Sequence, residues 1–314
     1  MSAPRISFVV NPRSAGGRTG RAWAARESAI RGTFPDAEVQ RSEAPKDAIG
    51  LAADAQARGA ELVVAVGGDG TVHEVVNGLM TRGAAELTPG QPQRAALAVL
   101  PSGTGCDFAR ALGIGPSFEQ AFAQLRAGRR QVIDLGRVHK PGQAERSEWF
   151  NNVASFGVTG EIVARIQRSR KWLGAKPTYL WAAVCALLRY RNARVRIALD
   201  GAESYEQRIK AVAIGNANYF GGGMCIAPDA SVDSGRLQAA VFGDLGRIEA
   251  VRRLGETYAG KRIEHPRIRY HDCRSLLAEP AGTRSIGVEL DGEAWGHLPA
   301  RFEIVPAALQ VIVP

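Results

Sequence analysis

Three apolar runs in this chain each stop at a glycine-rich loop, and each loop opens a helix-like pattern. RISFVV (residues 5–10) leads into NPRSAGGRTG, ELVVAV (61–66) into GGDGT, and AALAVL (95–100) into PSGTG. The helical patterns that follow cover Ala22–Ile30, VHEVVNGLM and CDFARALG. An apolar run, a loop and a helix in repeated succession mark βα units, which build a mainly parallel sheet. The glycine loops then fall at the carboxyl ends of strands, the edge where open α/β sheets hold ligands. They also open helices, whose free N-terminal N–H groups suit phosphate. Glycine gives up the most backbone freedom on folding, so a cluster of it needs a reason. Backbone N–H groups that must approach a phosphate without a Cβ in the way would supply one. Asp69 is the one acid inside GGDGT.

After about Asp134 the texture changes to short alternating strand patterns: VIDLGRV, EWFNNVASFG, ARVRIALDG, QRIKAVAIGNA and GRLQAAVFG. Two helical insertions interrupt them, IVARIQRSRKWLGAKPTYLWAAVCALLRYR and LGRIEAVRRLGETYAGKR. The pattern predicts a β-rich, antiparallel sandwich-like second domain. The 314 residues therefore divide into an α/β domain over 1–134 and a β-rich domain over 135–294, with the segment 295–314 able to return to the first.

The formal charge is +9, which favours anionic partners: nucleotides, nucleic acid or an acidic membrane surface. No RRM, KH or zinc-finger signature supports nucleic acid. Cys106, Cys185, Cys225 and Cys273 are scattered without a CxxC pair and read as free thiols of a reducing cytoplasm. The histidines show no zinc spacing. The longest apolar run, Tyr179 to Leu188, is too short to span a bilayer, and the amino terminus has no apolar h-region.

Standard nucleotide motifs fail here. Gly255-Glu-Thr-Tyr-Ala-Gly260-Lys261 approaches a Walker loop, but Arg262 follows where Ser or Thr is needed and no strand precedes it. G-x-G-x-x-G fails at Phe108 and at His73. The ordered series NPRSAGG, GGDGTVHEVVNG, LPSGTGCDFARALG, FNNVASFGVTG, NANYFGGGMCIAPDA and LDGE instead resembles the diacylglycerol kinase catalytic-domain family, which includes bacterial lipid kinases, sphingosine kinases and ceramide kinases. The match runs nearly the full length of the chain. GGDGT alone is less specific, because NAD kinases and phosphofructokinases look similar there.

The resemblance implies ATP-dependent phosphorylation of a lipid hydroxyl with Mg²⁺, and an active site in a cleft between an NAD kinase/phosphofructokinase-like domain and a β-rich lipid-substrate domain. By that similarity Asn11, Pro12, Arg13, Ser14, Ala15, Gly16 and Gly17 form the first phosphate loop. Ser42, in QRSEAP, sits where the family has Thr or Ser near the nucleotide. Gly67, Gly68, Asp69, Gly70 and Thr71 form the central loop, Thr104 belongs to the third, and Asp69 serves catalysis and the catalytic Mg²⁺. Glu293, in Asp291-Gly292-Glu293, corresponds to the proton acceptor. From residue pattern alone Asp-Gly is a hairpin signal and Glu293 an exposed strand residue. Asp107 fits a helix cap, and Cys106 stands where the family has Asn. The family's structural Mg²⁺ element is here Pro228-Asp-Ala230-Ser-Val-Asp233-Ser234-Gly235; Ser234 replaces a carboxylate, so that site is expected to be weakened or absent.

Trp172, Leu173, Tyr179, Leu180, Trp181 and Leu187 read either as lining for an acyl cleft, as membrane contacts, or as helix core. The leading expectation is a cytoplasmic lipid kinase, peripherally associated with the inner membrane, whose partners are a lipid substrate and an anionic surface but not nucleic acid. Two competing readings are a kinase of the NAD kinase type and a non-enzymatic nucleotide- or nucleic-acid-binding protein.

Overall fold

The computed structural model describes residues 4–81, 95–168 and 175–314. Two compact units divide the chain: Met1–Asp134 with Pro306–Pro314, and Leu135–Val305.

In the first unit β1 (Ile6–Val10) is followed by α1 (Arg18–Arg21) and α2 (Trp23–Thr33), β2 (Glu38–Arg41) by α3 (Asp47–Ala57), and β3 (Leu62–Gly67) by α4 (Asp69–Met80). Next come β4 (Ala96–Pro101), α5 (Asp107–Ala111) and α6 (Phe118–Ala127). The strands pair in the order β2-β1-β3-β4, all in parallel. Every residue of β3 and β4 is buried. That is why these strands read as unbroken apolar runs: a parallel sheet is covered on both faces. β2 differs: its burial is partial and its sequence, EVQR, is mostly polar, so it gives no apolar signal. The returning segment lies parallel to β4 through Val311 opposite Leu97. It is tied at its start by the Ala307 N–H, which donates to Asp134 Oδ1 at 2.8 Å.

β5 (Arg129–His139) carries the chain into the second unit, which continues with β6 (Glu148–Phe150), β7 (Val153–Gly157), α7 (Val158–Arg168) and α8 (Ala175–Arg189). Then follow β8 (Ala193–Leu199), β9 (Tyr205–Ile209), β10 (Ala211–Gly215), the short pair β11 (Tyr219–Phe220) and β12 (Met224–Cys225), β13 (Leu237–Phe242) and α9 (Arg247–Leu254). The unit ends with β14 (Ile268–Cys273), β15 (Ser275–Pro280), β16 (Gly287–Leu290), β17 (Glu293–His297) and β18 (Ala300–Val313), the last of which leaves for the first unit. One antiparallel sheet runs β14-β13-β10-β7-β16-β17. Facing strands β8, β9, β15 and the first half of β18 are also antiparallel. Their inner faces share one core, in which Phe156 stacks on Phe302 at 6.0 Å.

Two strands expected to be continuous are each broken in two. EWFNNVASFG breaks at Asn151–Asn152 because the Asp291 carboxylate accepts the N–H groups of Asn151, Asn152 and Val153. QRIKAVAIGNA breaks at Lys210, whose N–H turns to the carbonyls of Phe242 and Gly243. All four cysteines are free. No helix among the described residues is long and apolar enough to cross a membrane.

Candidate active site

The glycine edge of the first unit is built by two loops touching through their backbones. A Cβ on Gly103 would lie 2.5 Å from the Gly68 Cα, and one on Gly68 would lie 3.3 Å from the Gly103 Cα. Ser102 N donates to Gly67 O at 2.7 Å, extending the β3–β4 ladder into the loops. The glycines of GGDGT and PSGTG are thus first a packing requirement of each other, whatever ligand they also admit. Gly103→Ala should cost about 1–3 kcal/mol by overpacking, which lowers Tm by about 2–4 °C for each kcal/mol in a unit of this size. Gly50→Ala, in α3 where a Cβ meets nothing within 4 Å, should instead stabilise by about 0.5–1 kcal/mol. Thermal unfolding of the two variants checks the pair; equal shifts would refute the loop-contact account.

Asp69 opens α4, where a carboxylate is favoured by the helix dipole. Its Oδ1 accepts the Phe108 N–H at 3.2 Å, which joins the central loop to α5. Cys106, the residue before α5, is in the left-handed region at φ 52°. Burial first, and then the negative charge of Asp69, push its thiol up to about 11, so it stays neutral beside that acid. Asp107 is buried and paired with Arg110 at 3.0 Å, which suits a fixed helix start better than an open ligand.

The first loop is held from both sides. Asn11 Nδ2 donates to Thr71 Oγ1 at 3.1 Å, and Asn11 Oδ1 accepts from Arg13 N at 3.0 Å. Ser14 and Thr19 share a hydrogen bond of 2.6 Å, and Thr19 and Ser102 one of 2.5 Å. Arg26 adds a bond of 2.9 Å to Ser102 Oγ. Ala15, Gly16 and Gly17 all have left-handed φ, 53°, 65° and 81°, so the loop coils tightly with Pro12 and Arg13 at its entrance. Residues 11–26 carry Arg13, Arg18, Arg21 and Arg26 and no acid, a cationic rim fit for phosphate. Ser42 is buried where its N–H meets Val10 O at 2.9 Å, beside the end of β1. Thr104 is exposed in the third loop. The first unit therefore gathers Asn11, Thr71, Gly68, Asp69 and the third loop into one connected edge. The Thr19–Ser102–Arg26 links were not legible in the sequence, since they join segments some eighty residues apart.

Glu293 belongs to the second unit. β16 and β17 join through Asp291 and Gly292, both with positive φ (50° and 89°), the two-residue hairpin that Asp-Gly favours. Glu293 is the exposed first residue of β17. Two further carboxylates fix the turn that presents it. Asp291 takes three backbone N–H bonds of 3.0 Å. Buried Glu289 takes the Gly292 N–H at 2.9 Å and the Ser155 hydroxyl. The sequence signal for Glu289 was an acid inside the apolar run IGVEL. In the element at Pro228–Gly235, Asp229 is paired with Arg262 at 2.7 Å, and Ser234 Oγ donates to Arg236 O at 3.1 Å.

The described residues hold no group of three or more His, Cys, Asp and Glu side chains placed as a metal cage. Mg²⁺ held by one or two carboxylates with water and substrate phosphates needs no such cage, and Asp69 supplies a donor of the right kind.

Comparison with known families decides what this pair of units is. Residues 5–138 match the diacylglycerol kinase catalytic domain, and residues 152–313 match the YegS C-terminal NAD kinase beta sandwich-like domain. A diacylglycerol kinase of Mycobacterium tuberculosis is 31% identical over 85% of this chain and 82% of the relative. The chain belongs to the diacylglycerol kinase/YegS-like lipid kinase family. A Pseudomonas aeruginosa protein named "Probable lipid kinase YegS-like" is 30% identical over 100% of this chain and 96% of the relative. A diacylglycerol kinase structure from Bacillus anthracis (strain Sterne) superposes with a TM-score of 0.72 at 22% identity, covering 100% of this chain and 98% of that one. Yeast NADH kinase, solved with NADH, gives 0.54 at 11% identity, covering 100% and 84%. The NAD kinase likeness is one of fold; the relatives and matching domains make this chain an enzyme of the diacylglycerol kinase/YegS-like lipid kinase family.

Proposed function

We propose that this kinase transfers the γ-phosphate of ATP to a hydroxyl of a membrane lipid such as diacylglycerol. The observation that carries the lipid acceptor is a cavity in the second unit, open at its mouth and lined by Val158, Ile162, Leu187, Phe220, Phe242 and Leu254 among others. Its almost wholly hydrocarbon lining suits an acyl chain rather than a dinucleotide.

The glycine edge and arginine rim of the first unit would hold the ATP phosphates. Phosphoryl transfer depends on positioning and charge neutralisation more than on covalent chemistry. Asp69 would hold Mg²⁺, which neutralises charge on the transferring phosphate when bound. Glu293 would take the proton of the attacking hydroxyl, its turn held rigid by Glu289 and Asp291. Fixed position matters here, because a base must lie within hydrogen-bond reach of the proton it removes.

ATP consumption measured over a panel of lipid alcohols in mixed micelles, with NAD as a separate acceptor, tests the reading. Turnover with a lipid alcohol supports it. Turnover with NAD alone would replace it with the NAD kinase type, and no turnover with any acceptor would favour a nucleotide-binding role.

The kinase would work at the anionic inner surface of the cell membrane. A net charge of +9 acts there through screened electrostatics, worth roughly 1 kcal/mol for each basic residue near the surface. Cosedimentation with anionic vesicles should therefore weaken steadily with added salt. Equal binding to neutral and anionic vesicles at low salt would remove the electrostatic part of the proposal.

A further inference from the structure

The described residues leave six large apolar side chains well exposed: Val132, Leu180, Trp181, Leu188, Ile248 and Tyr258. Five of the six lie on α8, on α9 and on the Gly255–Ala259 turn that follows it. The two helices pack against each other, and their inner sides wall the apolar cavity through Ala183 and Leu187 of α8 and Ala250 and Leu254 of α9. Helical periodicity separates these sides. Trp181 and Leu188 are seven residues apart and share a stripe beside the one that carries Ala183 and Leu187. Ile248 lies two residues before Ala250, on the far side of its helix. α8 is thus apolar both toward the core and toward solvent, and Trp181 (68% exposed) and Ile248 (65%) project from the outer surface. Trp172 and Leu173 lie outside the described residues, as does the Tyr179 side chain.

We propose that this outer face of α8 and α9 is the surface by which the protein lies on an anionic lipid bilayer, with Trp181 and Ile248 seated among the headgroups. Charge chooses the occupant. Arg189, Arg191, Arg247, Arg252 and Lys261 flank the apolar side chains, all exposed, while the only acids of α9 and its turn are Glu249 and Glu256, and α8 has none. Glu249 is engaged by His265 and Arg267, and Glu256 by Arg253. A second copy of this chain would bring like arginines face to face, a costly juxtaposition, whereas acidic headgroups complement them. An exposed Trp fits the boundary itself, where its ring meets acyl carbon and its N–H meets water. With fifteen residues, α8 is about 22 Å long at 1.5 Å per residue, short for a span and suited to lying in the interface. The inner sides of the same helices wall the cavity proposed for the acyl chain. The inference deepens the lipid-kinase reading and rests on it for its purpose.

The test uses the full chain without ATP or acceptor lipid, so its outcome does not depend on turnover. Partition onto phosphatidylcholine vesicles with and without phosphatidylglycerol is measured by sedimentation for wild type, Trp181→Ala with Ile248→Ala, and Arg189→Gln with Arg252→Gln. The wild type should bind only the anionic vesicles well. The apolar pair should lose at least about tenfold as its apolar contact is removed, and the arginine pair about fivefold for each charge. Brominated lipid should quench the wild-type tryptophan fluorescence, and Trp181→Phe, which keeps an apolar ring, should lose most of that quenching. Variants with wild-type Tm that bind vesicles as the wild type does would overturn the proposal. So would unchanged quenching in Trp181→Phe, or a wild-type dimer in ultracentrifugation that the apolar pair breaks, which would give this face to a second copy. Vesicle binding by this face in a protein that phosphorylates no lipid would sink the kinase reading and leave the surface standing.

Discussion

Asp69→Asn is expected to leave a folded protein whose turnover falls at least about 10²–10³-fold, the usual loss when one group that stabilises transition-state charge is removed. The fold should survive because Asn keeps the shape of Asp69 and can keep an oxygen accepting the Phe108 N–H. What disappears is the charge, and with it the carboxylate proposed for Mg²⁺. A second readout follows the same charge without any activity assay. The Cys106 thiol is pushed up to about 11, by burial first and by Asp69 next. Removing the charge while keeping the burial should bring that value part of the way down, so alkylation of Cys106 at alkaline pH should speed up in the variant. Faster alkylation with near-normal turnover would show that the charge is gone and that the metal role was wrong. Unchanged alkylation would mean that the loops have rearranged, and the loss of turnover could then not be assigned to charge.

The parts of the fold legible in the sequence are those where burial and backbone need coincide. β3 and β4 are buried on both faces and end in loops whose backbones touch at Gly68 and Gly103, so apolar runs and glycines mark them together. β2 and α3 carry no such mark. β2 is a four-residue, partly exposed strand, and the buried face of α3 is Ala48, Ala52 and Ala55, residues whose small side chains give a weak periodic signal. α6 escaped for a related reason: its fully buried residues are Phe118 and Ala121 alone. In the second unit the alternation of short strands revealed the sandwich. The breaks at Asn151–Asn152 and Lys210 depend on partners distant in sequence, Asp291 and Phe242–Gly243, and no local pattern could reveal them. The same holds for the site. GGDGT and the Asp-Gly turn are local and visible, whereas the Asn11–Thr71 and Thr19–Ser102 bonds join loops that share only the edge of a sheet.

Glu293→Gln should lower kcat by about 10²–10⁴, the range for losing a general base, while affinity for a non-hydrolysable ATP analogue stays near normal. A lipid alcohol is a poor nucleophile until its proton has somewhere to go, and Gln offers shape without basicity. Glu293 is exposed at the first position of β17, so its substitution should leave Tm unchanged within about 0.5 kcal/mol of stability. Glu289, four residues earlier, provides the contrast that makes the test specific. Its two oxygens accept from Ser155 and from Gly292 in a buried setting. Gln at 289 has one acceptor oxygen and one donor amide, so at least one of those bonds must reverse or fail. Leaving such a buried group unsatisfied costs about 1–3 kcal/mol, and the turn that carries Glu293 should loosen with it. Glu289→Gln should therefore lower Tm and kcat together, whereas Glu293→Gln should lower kcat alone. Were Glu293→Gln to keep kcat within a few-fold, or to fall only in proportion to a lost Tm, the acid would be a hairpin residue and the proton would have to leave by another group.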